Sequence, residues 1–471
     1  MRRVVIIGGG VSGLAAAWRL RELMGESVEV LVLEGSPRLG GVIRTEREGG
    51  FLIEAGADSF VTDKPWGLAL TRRLGLENQL LSPGPVRRTL IVNRGKLREI
   101  PAGFNLLAPA RLGPLLKSPI LSMGGKLRLL MEPLIPRRRA QEDESLAAFV
   151  KRRLGREVLE RLAQPLAGGI YAADPEVLSL QATLPRFPEM EQRYGSVIRA
   201  LRARAAEAGV AQASGARWSL FVSFESGMQT IIDALAVALG PRVRRDAPVR
   251  EIVRGGDGRG WCVFLRDGSP VGADAVICTA SAPQSARLLG GVSQTLAAGL
   301  VQLRYSSIAV VNLAYQLADF PVAPNATGFV VPRVEGRHAI AGSFSSIKFS
   351  GRAPTGQVLL RLFVGGSLQP ELLHQSDEEL SALARRELRE LIGVTAQPLL
   401  TMVTRWNDSM PQYGLGHQRW AADIQAQAQR LPGLALAGAA YGGVGISDCI
   451  HGGELAAEAT VGYLQTARSA A

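Results

Sequence analysis

The sequence predicts a protein of mixed α/β and α+β class, in which a discontinuous parallel-sheet domain receives two insertions. Three observations support this prediction. A glycine-rich turn joins a strand to a helix at the amino end, the same strand–helix composition returns in the middle and at the carboxyl end, and a proline-marked apolar stretch lies between them. A chain of 471 residues has room for two or three domains and a large core.

The first element is an apolar strand, residues 4–7, followed by the glycine-rich segment 8–13 and an apolar helix, residues 14–23. Such a helix directs the free N–H groups of its first turn toward an anion, and glycines let a phosphate approach the backbone. Gly8 permits the tight turn, Gly10 the close approach and Gly13 the packing of the helix on the strand. The glycine spacing alone is weak evidence, because glycine supplies 54 of the 471 residues.

A second strand, residues 28–33, strengthens the prediction because it ends in Glu34, about 20 residues beyond the glycines. A carboxylate there can accept hydrogen bonds from both ribose hydroxyls of a dinucleotide, and it would repel the extra phosphate of NADP. Arg38, Leu39, Gly40 and Gly41 follow. The order and spacing of these elements predict a Rossmann-like site for a dinucleotide, with FAD as the expected ligand. The alternative is a glycine-rich turn that binds nothing.

The remaining elements follow from apolar periodicity and turn residues. Strands are predicted at 51–56, 249–253, 261–265, 275–279 and 434–438, with a second sheet within 308–363. Helices are predicted at 66–74, 142–162, 195–208, 229–239 and 377–392 and from about Asp448, with Ser376 as a helix cap and residues 166–175 as a glycine-rich turn. The predicted domains are FAD-binding (1–65, 215–285, 400–471), substrate-binding (66–99, 286–399) and helical (100–214).

Composition narrows the classes of partner. The 54 basic and 42 acidic residues give a net charge of +12, which suits nucleic acid, an anionic membrane or an acidic substrate. No nucleic-acid motif is present and the arginines are dispersed, so membrane and carboxylated substrate stay open. Residues 100–136 mix apolar and basic residues between prolines, which is typical of an interfacial membrane segment or of a helical subdomain with its own core. No apolar run approaches the roughly 18 residues of a transmembrane helix.

Cysteine and histidine usage predicts neither disulfides nor a metal site. Cys262, Cys278 and Cys449 lack the short spacing of metal ligands, and the four histidines stand far apart in sequence. The apolar start of the chain is explained by the nucleotide fold rather than by a signal peptide. These features favour a reducing cytoplasm, with a peripheral position on the inner face of the membrane as an open alternative.

Several segments resemble the flavin-dependent protoporphyrinogen and coproporphyrinogen III oxidase family, within the amine oxidase superfamily, and the resemblance covers nearly the whole chain. The segments are 54–60, 96–101, 169–175, 363–366 and 441–450. The resemblance implies FAD contacts at Gly8, Gly9, Gly10, Val11, Ser12, Gly13, Glu34, Gly35, Arg38, Gly41, Val42, Gly56, Ala57, Asp58, Ser59, Val249, Trp406, Val444, Gly445 and Ile446. For Trp406 the alternative is an aromatic plug in a core.

The resemblance also implies a tetrapyrrole site formed by Arg88, Gly169, Val330, Ser343 and Phe363. An arginine fork suits a propionate and apolar walls suit a flat macrocycle, although Arg88 could equally be a surface charge beside Arg87. Ser343 departs from the family's usual apolar residue. Ala439 stands where many superfamily members place an acid.

The implied reaction removes six electrons from protoporphyrinogen IX in haem synthesis, through non-covalently bound FAD and with release of hydrogen peroxide from oxygen. It needs no dedicated protein acid or base, and none is assigned. The alternatives are coproporphyrinogen III as substrate, an oxidase of amines or carotenoids, and a binding protein without redox chemistry on the same fold. Nucleic acid is not an expected partner, and a homodimer is an open alternative.

Overall fold

The computed structural model describes residues 1–140, 142–211, 220–256 and 260–469. Its first layer is a five-stranded parallel sheet. The strands, in spatial order, are Val243–Arg244, Val28–Leu33, Arg2–Ile7, Ala275–Cys278 and Leu434–Leu436. They come from the amino end, the middle and the carboxyl end of the chain, so the predicted discontinuous sheet is confirmed.

Helices and a second small sheet bury both faces of this parallel sheet. Val4, Val5 and Ile6 of the central strand are fully buried, which explains why that strand is a continuous apolar run. Helices Val11–Met24 and Ile446–Ser469 pack together over one face, where a Cβ atom at Gly453 would overlap the Ser12 carbonyl. On the other face lie helices Ala282–Leu289 and Gln294–Leu300 and the antiparallel strands Val249–Arg254, Trp261–Leu265 and Pro270–Ala273.

The second layer is a seven-stranded mixed sheet. Its strands, in spatial order, are Leu400–Pro411, Tyr305–Gln316, Gln357–Gly365, Ala339–Ser343, Gly328–Val330, Thr89–Asn93 and Lys96–Glu99. Helix Asp377–Ile392 covers one face of it. The sheet is therefore wider than the predicted 308–363. Strand Leu400–Pro411, which the predicted boundary at 400 gave to the FAD-binding domain, pairs along its length with Tyr305–Gln316.

The helical domain occupies the long insertion after the first strands of the mixed sheet. Its helices are Leu112–Lys117, Met123–Leu130, Leu146–Arg153, Arg156–Val158, Gln164–Tyr171, Leu180–Thr183, Arg186–Tyr194 and Val197–Ala211. The single helix predicted at 142–162 is wrong, because Gly155 at φ +100° interrupts it and a π-turn, Leu159–Ala163, follows. The predicted glycine-rich turn is also wrong. Gly168 and Gly169 lie inside a helix that ends at Ala172 in the left-handed region, because packing outweighs the low helix propensity of glycine.

The other helices and strands connect these layers. They are the hairpin Thr45–Glu48 and Phe51–Glu54, the short strands Phe60–Val61, Leu80–Leu81, Phe221–Phe224, Phe104–Asn105 and Ala108–Pro109, and the helices Pro65–Arg73, Gln229–Leu239, Ser345–Lys348 and His417–Gln429. Helix Pro65–Arg73 packs on Ile446–Ser469 and adds Leu70 to the core of the parallel sheet, although the predicted boundary placed it in the substrate domain.

Several predicted elements are confirmed to the residue. Helices Gln229–Leu239 and Asp377–Ile392 and strand Trp261–Leu265 have the predicted bounds. Ser376 caps its helix as predicted, since the Glu379 amide donates to its hydroxyl at 3.2 Å and the Glu379 carboxylate accepts from its amide at 2.7 Å. Within the described ranges, no helix combines the length and the apolar character needed to cross a bilayer.

Candidate active site

The glycine-rich turn and Glu34 form one unit. The Gly9 amide donates to Oε2 of Glu34 at 2.7 Å, and the amide and hydroxyl of Ser36 donate to Oε1 at 2.8 Å. A carboxylate can accept about four hydrogen bonds, so Glu34 keeps capacity for a ribose hydroxyl. The turn is thus held by the residue that the spacing predicts as the ribose acceptor.

The three glycines of the motif have different surroundings. Gly8 lies at φ +106°, and a Cβ there would approach Thr279 Oγ1 to 2.7 Å, while a Cβ on Gly13 would overlap the Gly8 carbonyl. A Cβ on Gly10 would meet no atom of the described residues within 4 Å. Gly10 is the cap of helix Val11–Met24, and no side chain in the described ranges caps it there. This open space before uncapped helix amides fits the pyrophosphate of a dinucleotide.

Arg38 organises the loop beside this space. Its guanidinium donates to the carbonyls of Leu39, at 3.2 Å, of Ile43, at 3.0 Å, and of Gly41. Burial, with a smaller contribution from Arg44, lowers the pKa of Arg38. The loop leaves Gly41 exposed and Val42 46% exposed next to Gly10. Arg38 therefore shapes the surface that Gly41 and Val42 present toward the predicted cofactor.

Gly56 and Trp406 join the loop of Val42 to the mixed sheet. A Cβ on Gly56 would overlap the Val42 carbonyl and lie 3.3 Å from the Trp406 ring. The Trp406 indole donates to the Ala55 carbonyl at 2.7 Å, and Trp406 pairs with Ile308 in the mixed sheet. Trp406 is therefore half-buried at this junction. It is neither fully enclosed, as a core plug would be, nor fully exposed, so part of its ring is free to contact a cofactor.

Asp58 forms a charged cluster with two cations of the mixed-sheet domain. Arg361 contacts its Oδ2 at 2.6 Å, and the Lys348 ammonium contacts its two carboxylate oxygens at 3.0 and 2.9 Å and Ser59 Oγ at 3.3 Å. Burial opposes ionisation of Asp58, but Arg361 and Lys348 outweigh it and hold its pKa well below the usual range. Arg361 also donates to the Gly56 carbonyl at 2.7 Å, so it fixes the segment before Asp58.

The carboxyl loop, residues 438–446, lies where helix Ile446–Ser469 begins, so Val444, Gly445 and Ile446 stand at a helix amino terminus. Tyr413 clamps this loop. Its hydroxyl donates to the Ala439 carbonyl at 2.6 Å and accepts from the Gly443 amide at 2.9 Å. Burial raises the pKa of Tyr413, so the phenol stays protonated. Hydrogen bonds between the Tyr413 hydroxyl and the loop backbone therefore hold the loop, although position 439 carries alanine rather than an acid.

Cys449 and Val249 flank the predicted cofactor site at its two ends. Burial raises the pKa of the Cys449 thiol to about 12, which leaves it a poor nucleophile for covalent attachment of a flavin. Val249 begins a strand just beyond Ala247, whose amide donates to the Glu34 carbonyl at 2.8 Å. Its backbone lies beside the ribose end of the site, where an adenine is expected.

The predicted substrate residues share one face of the mixed sheet. Val330, Ala341 and Phe363 are direct cross-strand partners, and Ser343 and Arg361 form the next pair on the same face. A Cβ on Gly169 would lie 3.7 Å from Val330, so the helix of Gly169 covers this face. Phe363 and Val444 pack against the same core cluster, which brings the sheet face next to the carboxyl loop.

Arg88 lies beside this face rather than on it. Its side chain is exposed, and its carbonyl accepts from the Thr327 amide at 2.8 Å. The next residue, Thr89, pairs with Gly328, whose other neighbour is Ser343. The structure thus brings Gly169, Val330, Ser343 and Phe363 together and leaves Arg88 outside this group, one residue out of step with Thr89 and Ile91, which share its face.

Sequence reasoning missed Arg361, Lys348 and Tyr413. Arg361 carried a usable signal, because it is a single cation inside the apolar strand Gln357–Gly365 and a buried charge requires a partner. Lys348 and Tyr413 gave no such signal. Lys348 sits in a four-residue helix and Tyr413 in a loop, and their partners are distant in sequence.

Together, the parallel sheet with its glycine turn, the open space at Gly10 and the second sheet facing the carboxyl loop form the architecture of a Rossmann-like flavoenzyme with an apolar sheet face beside that loop. The sequence model of the family of flavin-containing amine oxidoreductases matches residues 11–461 of this chain. Coproporphyrinogen III oxidase of Propionibacterium freudenreichii is 36% identical over 95% of this chain and 88% of its own length. The Bacillus subtilis enzyme of that name is 32% identical over 98% of both chains, and chloroplastic protoporphyrinogen oxidase 1 of Arabidopsis thaliana is 30% identical over 95% of this chain and 86% of its own.

Solved structures agree. A crystal structure from Exiguobacterium, described as a candidate protoporphyrinogen oxidase, superposes with a TM-score of 0.87 at 30% identity and covers 98% of this chain and 99% of its own. Putrescine oxidase has a TM-score of 0.70 over 98% of this chain and 99% of its own, at 18% identity, and shows the shared fold alone. The chain therefore belongs to the flavin-containing amine oxidoreductase family, in the group of protoporphyrinogen and coproporphyrinogen III oxidases. It is a flavin-dependent oxidoreductase.

Proposed function

We propose that this protein oxidises a porphyrinogen to the porphyrin in haem synthesis, with one non-covalently bound FAD and with oxygen as the electron acceptor. The observation that carries the proposal is the apolar sheet face of Val330, Ala341 and Phe363, which adjoins Val444 of the carboxyl loop. A flat, largely apolar macrocycle could lie against the half-buried end of that face, at Phe363 and Val444, next to the flavin. The relatives named above support the substrate class.

Bound FAD would supply the redox chemistry, with hydrogen peroxide as the reduced product of oxygen. Six electrons and six protons leave the porphyrinogen, and three molecules of oxygen accept them. The residues of the chain bind and orient the substrate. Arg88 holds a propionate at the rim, Gly169 lets its helix approach the macrocycle, and Phe363 and Val330 exclude water.

The two tyrosines of this region, Tyr171 and Tyr413, are poor candidates for a protein base. Burial, with a contribution from Asp448, raises the pKa of Tyr171 to about 12, and burial raises that of Tyr413 as well. Both phenols therefore stay neutral at physiological pH. Asp58 remains ionised but is held by Arg361 and Lys348. Protons from the pyrrole N–H groups would go to water.

Coproporphyrinogen III is the substrate that we favour, with protoporphyrinogen IX as the second candidate. The family resemblance by itself had put protoporphyrinogen IX first. Two relatives named coproporphyrinogen III oxidase, at 36% and 32% identity, cover most of both chains, and the net charge of +12 suits a substrate with four carboxylates. The chloroplastic protein at 30% identity supports the alternative.

We also propose that the helical domain touches an anionic membrane surface. Leu115, Ile120, Leu121 and Leu129 of the basic-apolar segment are buried in the helical core, as a packed subdomain requires. Met123, Leu127 and Leu134 are 78%, 63% and 77% exposed beside Lys117 and Lys126, as an interfacial segment requires. A position in the cytoplasm, on the inner face of the membrane, would follow. A homodimer remains a prediction.

Side-by-side aerobic oxidation of the two porphyrinogens by the purified yellow protein tests the proposal, with porphyrin fluorescence and peroxide as readouts. Turnover of coproporphyrinogen III at the higher kcat/KM is the expected result. Preference for protoporphyrinogen IX would select the second candidate. Turnover of neither would contradict the proposed function while leaving the family assignment intact.

A further inference from the structure

We propose that Gln412 is a positioning residue of the substrate site, which fixes the carboxyl end of helix Gln164–Tyr171 against the mixed sheet. That helix carries Gly169 and lies over the face of Val330 and Phe363. The inference rests on the proposed function and concerns the geometry of its site. A residue that holds this helix in place sets the gap between the helix and the sheet face.

Helix Gln164–Tyr171 is weak by its own sequence. It has eight residues, and Gly168 and Gly169 lower its helix propensity, so it is too short to be stable alone. It follows the π-turn Leu159–Ala163 and ends at Ala172, which adopts φ +47°. Contacts from other elements must therefore decide where its carboxyl end lies.

The side chain of Gln412 supplies such contacts. Its amide nitrogen donates to the Tyr171 carbonyl at 3.3 Å and to Ser306 Oγ at 2.8 Å. Its Oε1 accepts from Ser367 Oγ at 2.9 Å, and the Ser367 amide donates to the Ala172 carbonyl at 2.9 Å. The last carbonyls of a helix have no partner within the helix, so these bonds cap its carboxyl end. The helix end is thus linked to one strand of the mixed sheet and to the loop that follows another.

These contacts lie next to the proposed substrate wall. Tyr171 is the last residue of the helix of Gly169, and Ser367 follows the strand of Phe363. A Cβ on Gly169 would lie 3.7 Å from Val330, so a small tilt of the helix changes the gap at this wall. A misplacement of about 1 Å is enough to slow a reaction between bound groups, so the gap affects the rate as well as binding.

Gln412 also stands directly before Tyr413, whose hydroxyl contacts Ala439 and Gly443 of the carboxyl loop. Two consecutive residues therefore contact the helix, the mixed sheet and the loop next to the flavin. Because the loop is held by Tyr413, substitution of Gln412 should alter how the substrate approaches the flavin and leave the retention of flavin unchanged.

The alternative role for Gln412 is purely structural, as a hydrogen-bonding residue of a half-buried junction. In that role the Met410 carbonyl, 3.1 Å from the same amide nitrogen, takes up one of its two hydrogens, and the helix stays in place without the bond to Tyr171. That role predicts a loss of overall stability with no change confined to the helix.

Hydrogen–deuterium exchange of the flavin-loaded proteins tests the placement of the helix by Gln412→Leu. We expect the amides of residues 168–172 to exchange up to about tenfold faster than in wild type, because loss of an ordinary hydrogen bond releases the helix end. The amino end should not change, since Gln164 Oε1 accepts there from the Arg333 amide at 3.0 Å. Gln192→Leu is the matched control, because Gln192 donates to a backbone carbonyl at 2.9 Å elsewhere in the helical domain.

Reduction of the flavin by coproporphyrinogen III without oxygen tests the effect on the reaction. The substrate loses two electrons and two protons in each step, and the visible absorbance of the flavin falls as it accepts the electrons. We expect the second-order rate constant of this reduction to fall about tenfold in Gln412→Leu, with flavin content and the rate of reoxidation by oxygen unchanged. Gln192→Leu should change none of these quantities.

Unchanged exchange at residues 168–172, or equally faster exchange in Gln412→Leu and Gln192→Leu, would overturn the proposal. Faster exchange with an unchanged rate of flavin reduction would also overturn it, because the helix would then not position the substrate. If coproporphyrinogen III and protoporphyrinogen IX both fail to reduce the wild-type flavin, the proposed function fails, and exchange alone decides whether Gln412 places the helix. Should Gln412→Leu fail to fold, Ser367→Ala replaces it with the same expected direction, since it removes the bond to Oε1 of Gln412.

Discussion

The contrast between Gly10 and Gly13 gives the sharpest prediction about the cofactor site. An alanine at position 10 would place its Cβ in space that no described residue fills, and the backbone there, at φ −72° and ψ 174°, accepts any residue. An alanine at position 13 would overlap the Gly8 carbonyl. Gly10→Ala should therefore exclude the flavin nucleotide without unfolding the chain, and Gly13→Ala should damage the fold itself.

The magnitudes follow from these contacts. Loss of glycine at a helix cap costs up to about 1 kcal/mol, so the flavin-free Gly10→Ala protein should unfold within about 1 kcal/mol of wild type. Overlap with a backbone oxygen forces the helix off its strand, at about 1–3 kcal/mol or more. Stability is compared by urea unfolding after removal of flavin, because bound ligand adds its own stabilisation.

Bound flavin is measured from the visible absorbance of the purified proteins. Gly10→Ala is expected to lose most of its flavin, and Gly462→Ala, at an exposed helical glycine outside the site where an added Cβ meets nothing, serves as a control for the effect of purification. Full flavin content in Gly10→Ala would refute the placement of the pyrophosphate. A Gly13→Ala protein as stable as wild type would refute the packing argument.

Three further predictions concern substrate, charge and the carboxyl loop. Arg88→Ala should raise the KM for either porphyrinogen about tenfold with flavin content unchanged. The variant of its exposed neighbour, Arg87→Ala, should leave the KM unchanged. Equal KM values for the two variants would remove Arg88 from the site. Because the pKa of Asp58 is depressed in the folded protein, the stabilisation that its carboxylate provides is present above the unfolded pKa of 3.8 and is lost as pH falls through the folded value. Asp58→Asn should therefore cost about 3–5 kcal/mol of unfolding free energy at neutral pH, because it leaves Arg361 unpaired. A difference in unfolding free energy between wild type and variant that stays constant as the pH is lowered would contradict this prediction. Tyr413→Phe should lower the free energy of unfolding by about 1–3 kcal/mol and weaken flavin retention, because it removes both contacts of the hydroxyl with the carboxyl loop. Unchanged flavin retention would show that these two contacts are dispensable.

The site was predictable where local sequence and local geometry coincide. The turn at residues 8–13 and Glu34 belong to one strand–helix–strand unit, so spacing alone placed them together, and the bond between Gly9 and Glu34 agrees. Capping by Ser376 is likewise a contact over three residues. The family resemblance extended the predicted site to Val330, Ser343 and Phe363, which the structure places on one sheet face.

What the sequence by itself determined was therefore the nucleotide turn with Glu34, which depends on neighbours within a few tens of residues, and the discontinuous construction of the parallel-sheet domain, whose separate segments share one strand–helix composition. Tertiary structure alone decided the membership of strand Leu400–Pro411, the helical state of Gly168 and Gly169, and the cluster of Asp58 with Lys348 and Arg361. These depend on contacts between segments far apart in the chain, where packing and the need to neutralise buried charge override local propensity.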